Sequence, residues 1–139
     1  MKFPYHKLPI TGGDTRKPLV SRPYLPVYLL GKSKATESPY YALLDSGADR
    51  VIFSSDLAEQ VGIEDFKNGR LEQTIGIGSQ VVDVYFHDLK LKVSGESREL
   101  AVEVGFADNF SVLLLGRSFF MHYKSVIFSE GKEMVELKA

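Results

Sequence analysis

One short stretch of this chain has the residue types for acid–base chemistry: Asp45-Ser46-Gly47-Ala48-Asp49, directly after the apolar run Tyr40-Tyr41-Ala42-Leu43-Leu44. An apolar strand that ends in a carboxylate places that group at the edge of a core. Ionisation is disfavoured there unless a partner or hydrogen bonds offset it. Val51-Ile52-Phe53 is apolar again, so core flanks the turn on both sides. The sequence contains a single Asp-Ser-Gly. If Asp45 works as half of a carboxylate pair, the other half comes from a second copy of the chain. The same residues also favour turns for ordinary reasons: Asp and Ser bond nearby backbone, and Gly permits positive φ. On these residues alone, a catalytic carboxylate and a plain turn both stand.

Other chemistries find less support. Gly76-Ile77-Gly78-Ser79-Gln80 has the glycines of a phosphate-cradling loop, but such a loop follows a strand and opens a helix. Here Gln80 to Phe86 alternates like a strand, so a hairpin with an apolar tip at Ile77 is preferred, either a mobile lid or a plain β-turn. His6, His87 and His122 are far apart in sequence and form no metal-ligand spacing, and the chain has no cysteine. That excludes a disulfide framework, a thiolate zinc site and a thiol nucleophile. The seven tyrosines are too scattered for a stacking platform. No metal and no cofactor is expected.

Composition sets the outer bounds. With 139 residues, 44% of them hydrophobic, the chain suits one domain with a real core. Seventeen Lys and Arg against eighteen Asp and Glu leave a formal charge of −1, which is no footprint for nucleic acid or a membrane surface. The first residues lack the continuous apolar stretch of a secretory leader, and no run approaches a membrane span. A cytoplasmic protein is the expectation.

The elements that must position Asp45 read as mostly strand. Residues 1–20 are rich in Pro, Gly and charge and read as an N-terminal arm or an irregular first strand rather than a domain. Tyr24 to Leu30 reads as a strand beginning near an edge, because Pro23 and Pro26 cannot donate to a ladder. Gly31 to Pro39 reads as a loop. Ser54 and Ser55 as caps, Leu57 and Val61 four apart, and Gly62 as a stop predict one short helix over 56–61. Period-two alternation marks strands at Val82–Phe86, Leu89–Val93 and Leu100–Phe106, with a hairpin turn at Ser94–Ser97. Val112–Leu115 is a continuous apolar run suited to an interior strand buried on both faces. Gly116–Tyr123 has room for a helical turn or two, and Val126–Phe128 with Met134–Leu137 predict a C-terminal hairpin. The sum is a small, mostly-β, closed barrel-like domain with one or two short helices.

Three blocks, in order, carry a family resemblance. Leu43-Leu44-Asp45-Ser46-Gly47-Ala48-Asp49 resembles the catalytic motif of the retropepsin-like aspartic proteases. Gly76-Ile77-Gly78-Ser79-Gln80 resembles the tip of that family's flap. Val112-Leu113-Leu114-Leu115-Gly116-Arg117 resembles its second signature, an apolar run ending in Gly. The resemblance covers roughly residues 22–138, as the protease-like core of a single domain spanning 1–139.

The resemblance implies a homodimeric aspartic endopeptidase that cleaves an extended polypeptide, with Asp45 of each chain forming the catalytic dyad. It implies that Ser46 bonds across the dimer, that Gly47 admits the substrate backbone, and that Ala48 and Asp49 meet the substrate main chain. Gly76, Ile77 and Gly78 would form the flap. Leu115, Gly116 and Arg117 would support the loop, Arg117 by pairing with Asp49; a solvent-exposed cation at a helix start is the other reading of Arg117. The stretch from Ser125 to Lys138 extends past where viral members end, so a dimer interface built from chain ends does not carry over in detail. Two alternatives remain: a non-catalytic peptide-binding or dimerisation module on the same fold, and a monomer that needs a partner from elsewhere.

Overall fold

A computed structural model of the chain describes residues 1–9, 19–75 and 78–139. Twelve strands run in chain order among these residues: β1 (Lys2–Pro4), β2 (His6–Pro9), β3 (Leu19–Arg22), β4 (Tyr24–Leu30), β5 (Tyr40–Leu44), β6 (Val51–Ser54), β7 (Arg70–Ile75), β8 (Val81–Val93), β9 (Leu100–Ala107), β10 (Leu114–Leu115), β11 (Ser125–Ser129) and β12 (Met134–Lys138). Six of them close into a barrel. β4 pairs with β5, then β10, β6, β9 and β8 follow, and β8 returns to β4. β7 lies outside this closure, on the free side of β8. The mostly-β, closed architecture is the one expected from the sequence.

Alternation explains how the barrel fills. Leu25, Val27 and Leu29 of β4 point inward and are fully buried, as are Leu91 and Val93 of β8 and Val104 and Phe106 of β9. β4 begins at an edge, as expected: Tyr24 to Pro26 pair with β5 alone among the described strands, and only from Val27 does β4 become interior. Its pairing with β8 spans Val27 to Leu30; just before it, the Pro26 carbonyl accepts from the Ser94 amide at 2.9 Å, and no N–H is called for at that position.

β8 is one strand of thirteen residues where two were expected. Its apolar phase slips between Phe86 and Leu89 because its two halves bury opposite faces. Val84 and Phe86 pack with Ile52 and Ala107 in a small second cluster, while Leu91 and Val93 enter the main core.

The helix predicted over 56–61 is instead two single 3₁₀ turns, Ser55–Leu57 and Glu59–Val61. The caps work as read: Ser54 Oγ accepts from the Asp56 amide at 3.3 Å, and Gly62 stops the run at φ +83°. A short helix α1 (Arg117–Phe120) follows β10, and β11 and β12 form the expected C-terminal hairpin.

The described N-terminal residues form short strands, in line with the first-strand alternative. β1 pairs with β12, so β12 lies at the centre of a three-stranded sheet, and β2 pairs with β3. Tyr5 is buried against the main core, and its hydroxyl donates to Glu130 Oε2 at 2.8 Å.

Candidate active site

Topology decides what the Asp45 turn must do. β10 lies between β5 and β6, parallel to the first and antiparallel to the second. The residues joining β5 to β6 therefore arch over the end of β10, and Gly116 emerges beneath that arch. Backbone hydrogen bonds tie the layers together. The amides of Gly116, Arg117 and Ser118 donate to the carbonyls of Arg50, Ala48 and Asp49 at 3.0, 2.7 and 3.0 Å. A Cβ on Gly116 would lie 2.3 Å from the Arg50 carbonyl oxygen and 2.6 Å from that of Ala48, so the crossing requires glycine.

Asp45 is half-buried and braced from three sides. Its amide donates to the Leu115 carbonyl at 3.0 Å, its own carbonyl accepts from the Ala48 amide at 3.2 Å, and its Oδ1 accepts from the Gly47 amide at 2.9 Å. The second carboxylate oxygen, Oδ2, is left for other partners. Leu115 beneath it is fully buried.

Ser46, Gly47 and Asp49 are exposed on the turn, and Ala48 is half-buried. Asp49 and Arg117 do approach, but at 3.8 Å and with side chains 85% and 69% exposed. Such a pair contributes at most about 1 kcal/mol. The stiffness of the turn comes from the three backbone bonds to residues 116–118 instead.

Asp45 opens on a cleft of about 800 Å³. Gly47, Ala48 and Asp49 line it beside Asp45. Ile52, Val82, Val84, Phe86, Phe110 and Leu114 give it an apolar wall, and Glu72 to Ile75 of β7 form the opposite side. The β7–β8 hairpin thus stands over the Asp45 turn. Of the expected flap residues, Gly76 and Ile77 lie outside the described residues. Gly78 has φ +87° and Ser79 φ +64°, the left-handed conformations of a tight turn.

Three residues of this site were missed from sequence: Arg50, Glu72 and Phe110. Arg50 Nη2 donates to Glu72 Oε1 at 2.9 Å, linking the residue after the turn to the middle of β7. Arg70 donates to Glu72 at 2.8 Å and to Glu103 at 2.8 Å. The hydrogen bond from Arg70, followed by the charges of Arg50 and Arg70, holds the Glu72 carboxyl below the usual carboxylate range. Two arginines and two glutamates spread over residues 50–103 gave no sequence signal, because their meeting depends on strand register.

No family model matches the sequence, and no curated protein does. Solved structures do match. The EIAV protease, complexed with the inhibitor HBY-793, superposes with a TM-score of 0.51 at 25% identity, over 73% of this chain and 86% of that one. A retropepsin-like aspartic protease from Rickettsia conorii gives a TM-score of 0.60 at 14% identity, over 81% and 78% of the two chains. The retroviral protease-like domain of Ddi1 from Leishmania major gives 0.56 at 16% identity, over 85% and 89%. The fold of this chain is the retropepsin-like aspartic protease fold, as its three sequence blocks implied. No helix among the described residues is long and apolar enough to cross a membrane.

Proposed function

We propose that this chain is one protomer of a homodimeric aspartic endopeptidase. The observation that carries the reading is Asp45 itself: a half-buried carboxylate, braced in a backbone-locked turn, at a cleft with an apolar wall on this fold. The reading takes 22–138 as the protease-like core of a single domain, with 1–20 added to it.

In the dimer, Asp45 would face Asp45 of the second copy across a two-fold axis. Two carboxylates that close cannot both ionise, so they hold one proton between them and titrate as a unit. The ionised member takes a proton from water as its oxygen attacks the scissile carbonyl carbon. The protonated member donates to the carbonyl oxygen. Collapse of the tetrahedral intermediate then moves a proton to the leaving amine and breaks the C–N bond.

The substrate would be an extended polypeptide. Among the described residues β7 is an edge strand above the cleft, and the backbone donors and acceptors of its outer side suit strand-like pairing. Ser46, Gly47, Ala48 and Asp49 would meet the partner chain and the substrate backbone from below. Gly76, Ile77 and Gly78 would form the tip of a flap that excludes water. Leu115, Gly116 and Arg117 would support the loop.

A peptide-library digest from acid to neutral pH tests the reading, on wild type and Asp45→Asn, with and without an aspartic-protease transition-state analogue. Wild type should cleave, the analogue should block it, and Asp45→Asn should lose cleavage while keeping its circular dichroism spectrum. Undiminished cleavage by Asp45→Asn contradicts the mechanism. Peptide binding without turnover, indifferent to the Asp45 carboxylate, points instead to a non-catalytic binding module.

A further inference from the structure

Arg50 is held at two ends by different parts of the fold. Its carbonyl accepts from the Gly116 amide at 3.0 Å, which fixes its backbone at the crossing beneath the Asp45 turn. Its guanidinium leaves the turn and reaches the hairpin. Nη2 lies 2.9 Å from Glu72 Oε1, and Nη1 lies 3.9 Å from Glu103 Oε1. Arg70 completes the set, 2.8 Å from both Glu72 Oε1 and Glu103 Oε2. Both guanidinium carbons sit over the Phe86 ring, 5.2 and 5.3 Å from its centroid.

Isolated surface ion pairs contribute little, whereas charges joined in a network and stacked on an aromatic ring are held in one geometry. Glu72 stands mid-strand in β7, and among the described residues β7 hydrogen-bonds to a single neighbouring strand, β8. The Arg50–Glu72 contact therefore ties β7 directly to the turn on the far side of the cleft.

We infer that Arg50 is a positioning residue, a clamp that sets the height of the β7–β8 hairpin above Asp45. A substrate strand lying between them then meets the β7 edge and the Asp45 carboxylate at the same time. The kinetic consequence rests on the endopeptidase reading; the clamp itself does not.

The test uses the full chain as wild type, Arg50→Gln, Glu72→Gln and the double variant. Amide hydrogen exchange at neutral pH and low salt is read separately over Arg70–Ile75 and over β9. Each single variant should speed exchange in β7 by roughly three- to ten-fold while leaving β9 protection as in wild type. The effects of the two single variants should combine to clearly less than their product in the double variant, because both remove the Arg50–Glu72 contact, although each also removes a further pair, Arg50–Glu103 or Arg70–Glu72.

In peptide cleavage, KM should rise about three- to ten-fold with kcat within about two-fold, and the gap should narrow in roughly 0.5 M salt. Unchanged β7 exchange in both single variants overturns the clamp. So does an additive double variant, or loss of β9 protection together with β7. If wild type cleaves no peptide, the endopeptidase reading fails and the exchange measurement still decides the clamp.

Discussion

The amide of Gly116 donates to the carbonyl of Arg50 at 3.0 Å, with no space between the two backbones for a Cβ. This contact ends the strand β10 and begins the support of the Asp45 turn. Gly116 has φ −85°, open to any residue, so the glycine is required by close approach and not by backbone conformation.

Gly116→Ala should therefore act through steric displacement of the arch. Overpacking against backbone atoms costs about 1–3 kcal/mol. A urea-denaturation midpoint should fall accordingly, and peptide cleavage should drop further than the loss of folded protein explains. A variant with wild-type stability and activity would mean that the crossing relaxes freely.

Phe119 lies two residues past the Arg117 backbone contact, is fully buried, and packs against Tyr123 with ring centroids 5.4 Å apart. Phe119→Ala should destabilise the fold by about 3–5 kcal/mol. Met121, 84% exposed nearby, is the control: Met121→Ala should stay within about 0.5 kcal/mol of wild type. Thermal or chemical unfolding of both variants separates the two effects. Equal midpoints would contradict the assigned core.

Alkaline stability should depend on two buried phenols. Burial, then the hydrogen bond to Glu130, pushes the Tyr5 hydroxyl up to about 12. Burial, then the 2.6 Å hydrogen bond to Glu96, raises Tyr123 as well. In the unfolded chain both ionise near pH 10. The folded state thus keeps protons that the unfolded state has released, and stability falls as pH rises above about 10. Below that pH the contribution is whole. Tyr5→Phe should flatten the decline in urea midpoint measured from about pH 8 to 11; an identical slope would contradict the assignment.

The parts of the site carried by short-range pattern were legible in the sequence. The apolar run before Asp45, the turn residues, and the run ending at Gly116 each announce themselves within a few residues, and their order identified the fold. What depends on register between distant segments was not legible. Arg50 and Glu72 are 22 residues apart and meet only because β7 folds back over the turn. β8 read as two strands because one strand buries opposite faces in its two halves. The N-terminal residues left an arm and a first strand both open because the partner of β1 is β12, at the other end of the chain. Gly62 marked the end of a helical segment correctly, but that segment forms two 3₁₀ turns in place of one helix.

The central claim is that catalysis needs two Asp45 carboxylates from two chains. Subunit mixing tests it most directly. Wild type and Asp45→Asn are combined in varied proportion at fixed total concentration, allowed to exchange subunits, and assayed on one peptide. If both carboxylates are needed, activity follows the square of the wild-type fraction, so an equal mixture retains about a quarter of wild-type activity. An equal mixture retaining about half, in proportion to wild-type chains, would mean that each chain acts alone and would contradict the account.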